Sequence, residues 1–249
     1  MPKSDEPSLI LGCPPNEVGH EEAIMSFKNR SDAGKKLAKV LARYKHKDAV
    51  ILALPRGGVP VAAEVAAVLH APLDLVLVRK IGVPMQPELA MGAVVDGRTP
   101  IIVRNEDIIR DAGVDATEFK KICDRELIEI DRRRRLYLGD RAPVDVADRL
   151  AIIIDDGIAT GATTTAALRA TRMRKPRKLI LAVPVAATET LAEMRKEADE
   201  VVCLEDHEFF GAIGFYYADF SQTSDHEVVD TLKRYSTNGR EVASPIKTV

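Results

Sequence analysis

Ile152-Ile153-Ile154-Asp155-Asp156-Gly157-Ile158-Ala159-Thr160-Gly161-Ala162-Thr163-Thr164 carries three features in succession. An apolar run ends at two adjacent carboxylates, a turn of small residues follows, and a helical pattern then begins with threonine hydroxyls in its first turn. An unbroken run of Ile without polar alternation predicts a strand covered on both faces, as in a parallel sheet. A helix directly after it offers unpaired N–H groups and the positive end of its dipole to an anion. Glycine and alanine let the backbone close around a phosphate, and the hydroxyls add donors. The adjacent carboxylates repel a phosphate but suit a vicinal diol, whose hydroxyls donate to them. A phosphate site beside a diol site describes a ribose 5-phosphate.

Outward from this stretch, similar apolar runs lead into helical segments. Ala49–Leu54 leads to a helix over Pro60–Leu69, and Leu73–Val78 leads to a long loop around Gly82–Pro87. Gly92–Val95 and Pro100–Val103 are two shorter strand candidates. Leu150–Ile154 leads to a helix over Ala162–Met173, Leu179–Val183 to a helix over Thr188–Lys196, and Val201–Leu204 is the last strand. Ahead of them all, Ser31 or Asp32 is expected to cap a helix bearing Leu37, Val40, Leu41 and Tyr44 at helical spacing. Strands separated by helices imply right-handed crossovers, hence an α/β, Rossmann-like parallel sheet flanked by helices. Ligands in such sheets sit beyond the C-terminal strand ends.

One segment breaks the alternation. Between Ala116 and Tyr137, the residues Phe119, Ile122, Cys123, Leu127, Ile130 and Tyr137 share one helical face. Arg132–Arg135 lie near its end, where cations oppose the dipole favourably. A solvated basic run is the plain account of them; a contact to ligand phosphate or to a neighbouring subunit is the sharper one. The expected organisation is a loose arm over 1–22, one domain over 23–235 and a tail over 236–249. Within the domain we expect a helical insertion at about 105–140 and a small hood at about 205–222.

Lysine plus arginine number 36 and aspartate plus glutamate 38, so a net charge of −2 gives no electrostatic reason to expect a nucleic-acid or membrane partner. No apolar run approaches the roughly 20 residues of a spanning helix, and the N-terminal residues lack the pattern of a secretion signal. Cys13, Cys123 and Cys203 are isolated and odd in number, with neither metal-ligand nor disulfide spacing. A reducing, cytoplasmic setting is therefore expected.

The thirteen residues quoted first resemble the signature of type I phosphoribosyltransferases, in which two acidic residues precede a Thr-Gly-containing phosphate loop. By that resemblance Asp155 and Asp156 hold the ribose 2′- and 3′-hydroxyls, and Ala159, Thr160, Gly161, Ala162 and Thr163 wrap the 5′-phosphate. The implied donor is phosphoribosyl pyrophosphate (PRPP) with Mg²⁺, the metal arriving on the donor rather than on a dedicated protein ligand. The implied acceptor is a small nitrogenous base. A leaving pyrophosphate needs donors of its own, and Leu54-Pro55-Arg56-Gly57-Gly58 follows the first core strand on the correct edge of the sheet. Arg56 offers a fork of donors, while Gly57 and Gly58 permit close backbone approach. Taken alone the triplet is weak, but it resembles the family's short pyrophosphate loop. Arg79-Lys80-Ile81-Gly82-Val83-Pro84-Met85-Gln86-Pro87-Glu88 stands where the family has a mobile loop that closes over the donor. That makes Arg79 and Lys80 the candidate catalytic cations, and closure of such a lid excludes water. The likeness extends over about residues 24–235. It includes Phe27-Lys28-Asn29-Arg30-Ser31-Asp32-Ala33-Gly34 and Asp219-Phe220-Ser221-Gln222, which look like a bacterial branch of the family. Homodimers are common among such proteins, although no residue pattern here predicts the interface.

The acceptor base is harder to read. Hypoxanthine-guanine members carry an Asp inside the phosphate loop, and this chain has Ala159 there. The loop is closer in pattern to adenine phosphoribosyltransferases, but one short loop does not fix a substrate. The aromatic stretch from Phe209 to Phe220 is the candidate hood, with Phe210, Phe215 and Tyr216 as candidate base contacts. Stacking on a flat ring and packing beneath a loop would use it equally well. His207 and His226 are candidate catalytic residues, with surface or capping roles the plainer reading. A regulator that binds PRPP without turnover is the main rival, with Arg132–Arg135 its only foothold for nucleic acid. A pyrophosphokinase would need a duplicated domain and an ATP site, and neither is visible. A ribosyl phosphorylase or hydrolase is the third alternative.

Overall fold

The computed structural model of the protein describes residues 25–97 and 100–235. The expected arm over 1–22, Cys13 and the tail over 236–249 fall outside the described residues. Strands β1 (Ala49–Ala53), β2 (Leu73–Leu75), β6 (Leu150–Ile154), β7 (Lys178–Ala187) and β8 (Glu200–His207) form a parallel sheet in the order β2-β1-β6-β7-β8. Both faces are covered, and so β1 and β6 are buried at every residue. Alternate side chains leave in opposite directions. Ile51, Ala53, Ile152 and Ile154 pack with helices α1 (Arg30–Leu41), α2 (Gly58–Leu69) and α7 (Asp225–Arg234). Val50, Leu52, Ala151 and Ile153 pack with α5 (Ala162–Met173) and α6 (Thr188–Glu197) on the other side.

The chain runs outward one way from β1 to β2 and the opposite way from β6 to β7 and β8. Their following helices α2 and α5 therefore cover opposite faces, and the crevice beyond the C-terminal ends of β1 and β6 is the topological switch point. Residues 54–58 and 155–161 line that crevice by construction. The Leu54 amide donates to the Ile154 carbonyl at 2.9 Å, carrying the sheet ladder up to the brink of both loops.

Three expectations need correction. The segment around Gly82–Pro87 is not a long loop: β3 (Val78–Val83) and β4 (Gln86–Val95) make an antiparallel hairpin. The candidates at Gly92–Val95 and Pro100–Val103 do not join the parallel sheet. The first is the end of β4, and β5 (Ile101–Arg104) adds to it antiparallel, giving a separate three-stranded sheet. A bulge at Ile81/Gly82 and the Gly and Pro residues masked the strand period, while Ile81, Val83 and Met91 still reach a common core. Gly82 sits so close to the facing strand that a Cβ would lie 2.4 Å from the Pro87 carbonyl oxygen. Helix α4 (Ala116–Leu138), preceded by the short α3 (Glu106–Asp111), covers this small sheet through Phe119, Cys123 and Ile130. The third correction concerns α1, whose cap is Asn29: its side chain accepts from the Asp32 amide at 3.0 Å. Asp32 instead accepts from the Lys28 amide.

No described helix is long and apolar enough to cross a membrane.

Candidate functional site

Asp155 and Asp156 follow β6 directly, and the two carboxylates have different environments. Asp155 accepts from the Asp156 amide at 2.9 Å. Burial pushes its carboxyl well above the usual carboxylate range, and the Asp156 charge beside it pushes the same way. Asp156 is buried and receives the Arg30 Nε at 2.7 Å, while its backbone carbonyl accepts the Tyr217 hydroxyl at 2.6 Å. Burial likewise drives the Tyr217 phenol above its usual range. Two side chains that the sequence did not assign to the site, Arg30 and Tyr217, thus hold the second carboxylate residue.

The loop after β1 presses against the same pair. A Cβ on Gly57 would lie 2.0 Å from Asp156 Oδ2, and one on Gly58 would lie 2.7 Å from the Ile154 carbonyl oxygen and 2.9 Å from Asp155 Cα. Both glycines therefore have a packing reason to be glycine, besides any approach of a ligand. The Pro55–Arg56 peptide is cis. Arg56 Nη1 stands 3.6 Å from Asp225 Oδ1 at the start of α7, and the Tyr137 hydroxyl from α4 donates to that same oxygen at 2.6 Å. The Tyr137 phenol is pushed up to about 12, by burial first and by Asp225 second. The helix that breaks the sheet alternation thus reaches the arginine loop through Asp225.

Beyond the acid pair, the 157–161 loop is pinned from α6 and β7. The Thr190 hydroxyl donates to the Ala159 carbonyl at 2.6 Å, and Ile158 exchanges backbone bonds with Val185 and Ala187 at 3.0 and 3.1 Å. Gly161 caps α5 at φ +73°, with no side-chain acceptor for the first helical amides. A side chain there would be strained, and a Cβ would also meet Thr190 Cγ2 at 2.7 Å. Helix amides without a side-chain acceptor are open to an anion, and Thr160, Ala162 and Thr163 line the adjoining recess.

Arg79 and Lys80, neighbours on β3, leave on opposite faces. Lys80 lines a recess of about 970 Å³ together with Thr160, Ala162 and Thr163, and its Nζ bonds Glu88 Oε2 at 2.9 Å. Arg79 turns to α4, where its Nη2 and Nε reach the buried Glu126 Oε2 at 2.8 and 2.9 Å. The fold thus brings Lys80 to the recess of the 159–163 loop and engages Arg79 elsewhere. The hood candidates also divide. Tyr216 stacks on Phe210 at 5.1 Å and on His207 at 4.5 Å, whereas Phe215 is 61% exposed. Arg132 and Arg133 pair with Glu129, Arg134 with Asp96 and Arg135 with Asp131, at 2.6 to 2.8 Å.

The unassigned residues left uneven signals in the sequence. Arg30 places a cation in the first turn of α1, where the helix dipole disfavours it; such a residue calls for a nearby anion. Tyr217 left none, because its partner is a backbone carbonyl.

A family model described as "Phosphoribosyl transferase domain" matches residues 21–219. Two proteins of Mycobacterium tuberculosis, from strains CDC 1551 and H37Rv and each named "Putative phosphoribosyl transferase", are 47% identical to the chain over 208 residues. The matched region is 84% of this chain and 46% of theirs, so the chain spans about half the length of the curated relatives it matches. Among solved structures, the crystal structure of TT1426 from Thermus thermophilus is 37% identical with a TM-score of 0.73. That match covers 85% of this chain and 100% of that one.

Proposed function

The chain belongs to the phosphoribosyl transferase domain family, and from that premise we propose that it transfers ribose 5-phosphate from PRPP to a nitrogenous base, releasing pyrophosphate. The observation that carries this reading is the juxtaposition at the switch point. A pair of carboxylates stands between an uncapped helix N-terminus on one side and the Arg56-Gly57-Gly58 loop on the other. In this assignment the 5′-phosphate takes the amides of Ala162 and Thr163 with the hydroxyls of Thr160 and Thr163. The diol takes Asp155 and Asp156, and the pyrophosphate takes Arg56 and the backbone of Gly57 and Gly58.

Among the described residues no three His, Cys, Asp or Glu side chains converge as a metal cage. In this assignment a Mg²⁺ would be carried by the donor's own phosphates and would neutralise charge there. In the reaction the bond from the anomeric carbon to pyrophosphate breaks and a bond to the base nitrogen forms. Positive charge grows on the ribosyl ring and negative charge on the leaving group. The protein's share is positioning and charge stabilisation: Arg56 at the leaving group, Lys80 across the recess from the phosphate loop, and the acid pair fixing the ring. Arg79 serves the same end only by exchanging Glu126 for the leaving group. The hood residues Phe210, Phe215 and Tyr216 border the acceptor, with Phe215 the most open of the three. The feature that favoured a non-catalytic regulator, Arg132–Arg135, is occupied by intramolecular ion pairs.

The test is calorimetric binding of PRPP with Mg²⁺, followed by pyrophosphate release across a panel of purines and pyrimidines. Binding that disappears in the Asp155→Asn/Asp156→Asn double variant, with base-dependent release in the wild type, supports the assignment. Wild-type protein that neither binds the donor nor releases pyrophosphate refutes it. Binding without release from any base favours the regulator.

A further inference from the structure

Three separate segments meet on one side chain, Arg30. Its Nε reaches Asp156 Oδ2 at 2.7 Å, its Nη1 reaches the Ser221 carbonyl at 2.7 Å, and its guanidinium lies 3.9 Å over the Phe220 ring. The side chain is 12% exposed. The segment just before α1 is also paired to the hood: Phe27 N donates to the Tyr216 carbonyl at 3.0 Å, and Ala218 N donates to the Phe27 carbonyl at 2.8 Å. Tyr217 closes the arrangement, packing on Phe27 and Phe220 while its hydroxyl holds the Asp156 carbonyl. A cation in the first turn of α1 is unfavourable there, and only a planar fork can serve a carboxylate, a carbonyl and an aromatic face together.

We propose that Arg30 is a positioning residue of the donor site: it fixes the Asp156 carboxylate against Gly57 and ties that carboxylate to the hood segment 217–222, so that diol binding and hood position are coupled through one side chain. The proposal rests on the phosphoribosyl reading above. Arg30 also lies close enough to hold down the Asp155 carboxyl, against the larger upward push of burial and of Asp156. The other titratable groups facing this arrangement are Tyr217, whose hydroxyl holds the Asp156 carbonyl, and the exposed carboxylates of Asp219 and Glu227, which lie in the field of Arg30.

The experiment combines a readout without donor and one with it. The Asp155 carboxyl resonance is titrated in ligand-free wild type and Arg30→Gln, and PRPP–Mg²⁺ affinity is measured over the same pH range. Removing the cation that holds Asp156, and with it one downward pull on Asp155, is expected to raise the Asp155 titration. Donor affinity should then fall about tenfold on the acid side and recover towards wild type as pH rises. Arg30→Lys keeps the charge and should restore the pH profile. It should still leave the 217–222 amides exchanging faster, because a single ammonium cannot also hold Ser221 and Phe220. An unmoved Asp155 titration in Arg30→Gln, or an affinity loss of equal factor at every pH, overturns the proposal. If Arg30→Gln does not fold, Arg30→Lys decides, and unchanged exchange in the hood overturns the coupling. Wild-type protein that binds no donor at any pH defeats the transferase reading itself, and that result shows before any substitution is made.

Discussion

Gly57→Ala is the sharpest probe of how the loop after β1 is seated. The backbone at Gly57 is helical, φ −61° and ψ −36°, so alanine is conformationally acceptable there. The obstacle is steric: the new Cβ would stand 2.0 Å from Asp156 Oδ2 and 2.6 Å from its Cγ. Contact distances of about 3.5 Å force the carboxylate and the loop apart by about 1 Å or more. A retreat of the carboxylate away from Arg30 would stretch the 2.7 Å Arg30 contact out of hydrogen-bond range. Overpacking of this kind costs about 1–3 kcal/mol, and a weakened charged hydrogen bond adds about 1 kcal/mol or more. The expected total is about 2–4 kcal/mol, with Tm falling about 2–4 °C for each kcal/mol in a domain of this size. A double-mutant cycle with Asp156→Ala isolates the cause, because that truncation empties the space the methyl needs. In the Asp156→Ala background Gly57→Ala should change stability by less than about 0.5 kcal/mol, giving a coupling of at least about 1.5 kcal/mol. Strict additivity by thermal or urea unfolding would refute the packing argument. Gly57 would then be glycine only for the sake of a ligand, and Gly57→Ala would alter donor affinity without altering stability.

Asp155→Asn should stabilise the ligand-free protein while abolishing its use for the diol. A carboxyl raised in the folded state contributes stability that is complete below its unfolded pKa and is lost as pH rises through the folded value. The variant should therefore gain on wild type as pH rises above the ordinary carboxylate range, and the two curves should converge as pH falls to about 4. Glu126→Gln removes the buried partner of Arg79. It should cost about 1–3 kcal/mol, less than a fully buried pair because Arg79 is itself part-exposed; no change in urea midpoint would contradict that account of α4. The Cys203 thiol is pushed up to about 12, chiefly by burial, so it should alkylate at near-neutral pH far more slowly than a free thiol. Gly161→Ala places a side chain at positive φ and against Thr190, with an expected loss of about 1–3 kcal/mol by thermal unfolding.

The residues themselves settled the α/β class and placed the acid pair and the small-residue loop at the C-terminal end of a buried strand. An unbroken Ile run means burial on both faces wherever the chain folds, and a helix opening on Gly-Ala-Thr has free amides whatever packs around it, so β6, the acid pair and α5 were legible from local pattern alone. The hairpin of β3 and β4 was not, because a bulge and two prolines hide its period and its burial comes from α4, a partner about 30 to 40 residues away in the chain. Nor could the sequence distribute the charges. Arg79 and Lys80 read as equals until strand geometry sent one to Glu126 and the other to the recess beside Thr163. Arg30 became part of the site only when α1, β6 and the hood were brought together. Composition and periodicity register a residue's own conformational and solvation preference; which carboxylate meets which cation is a long-range fact, and packing alone decides it.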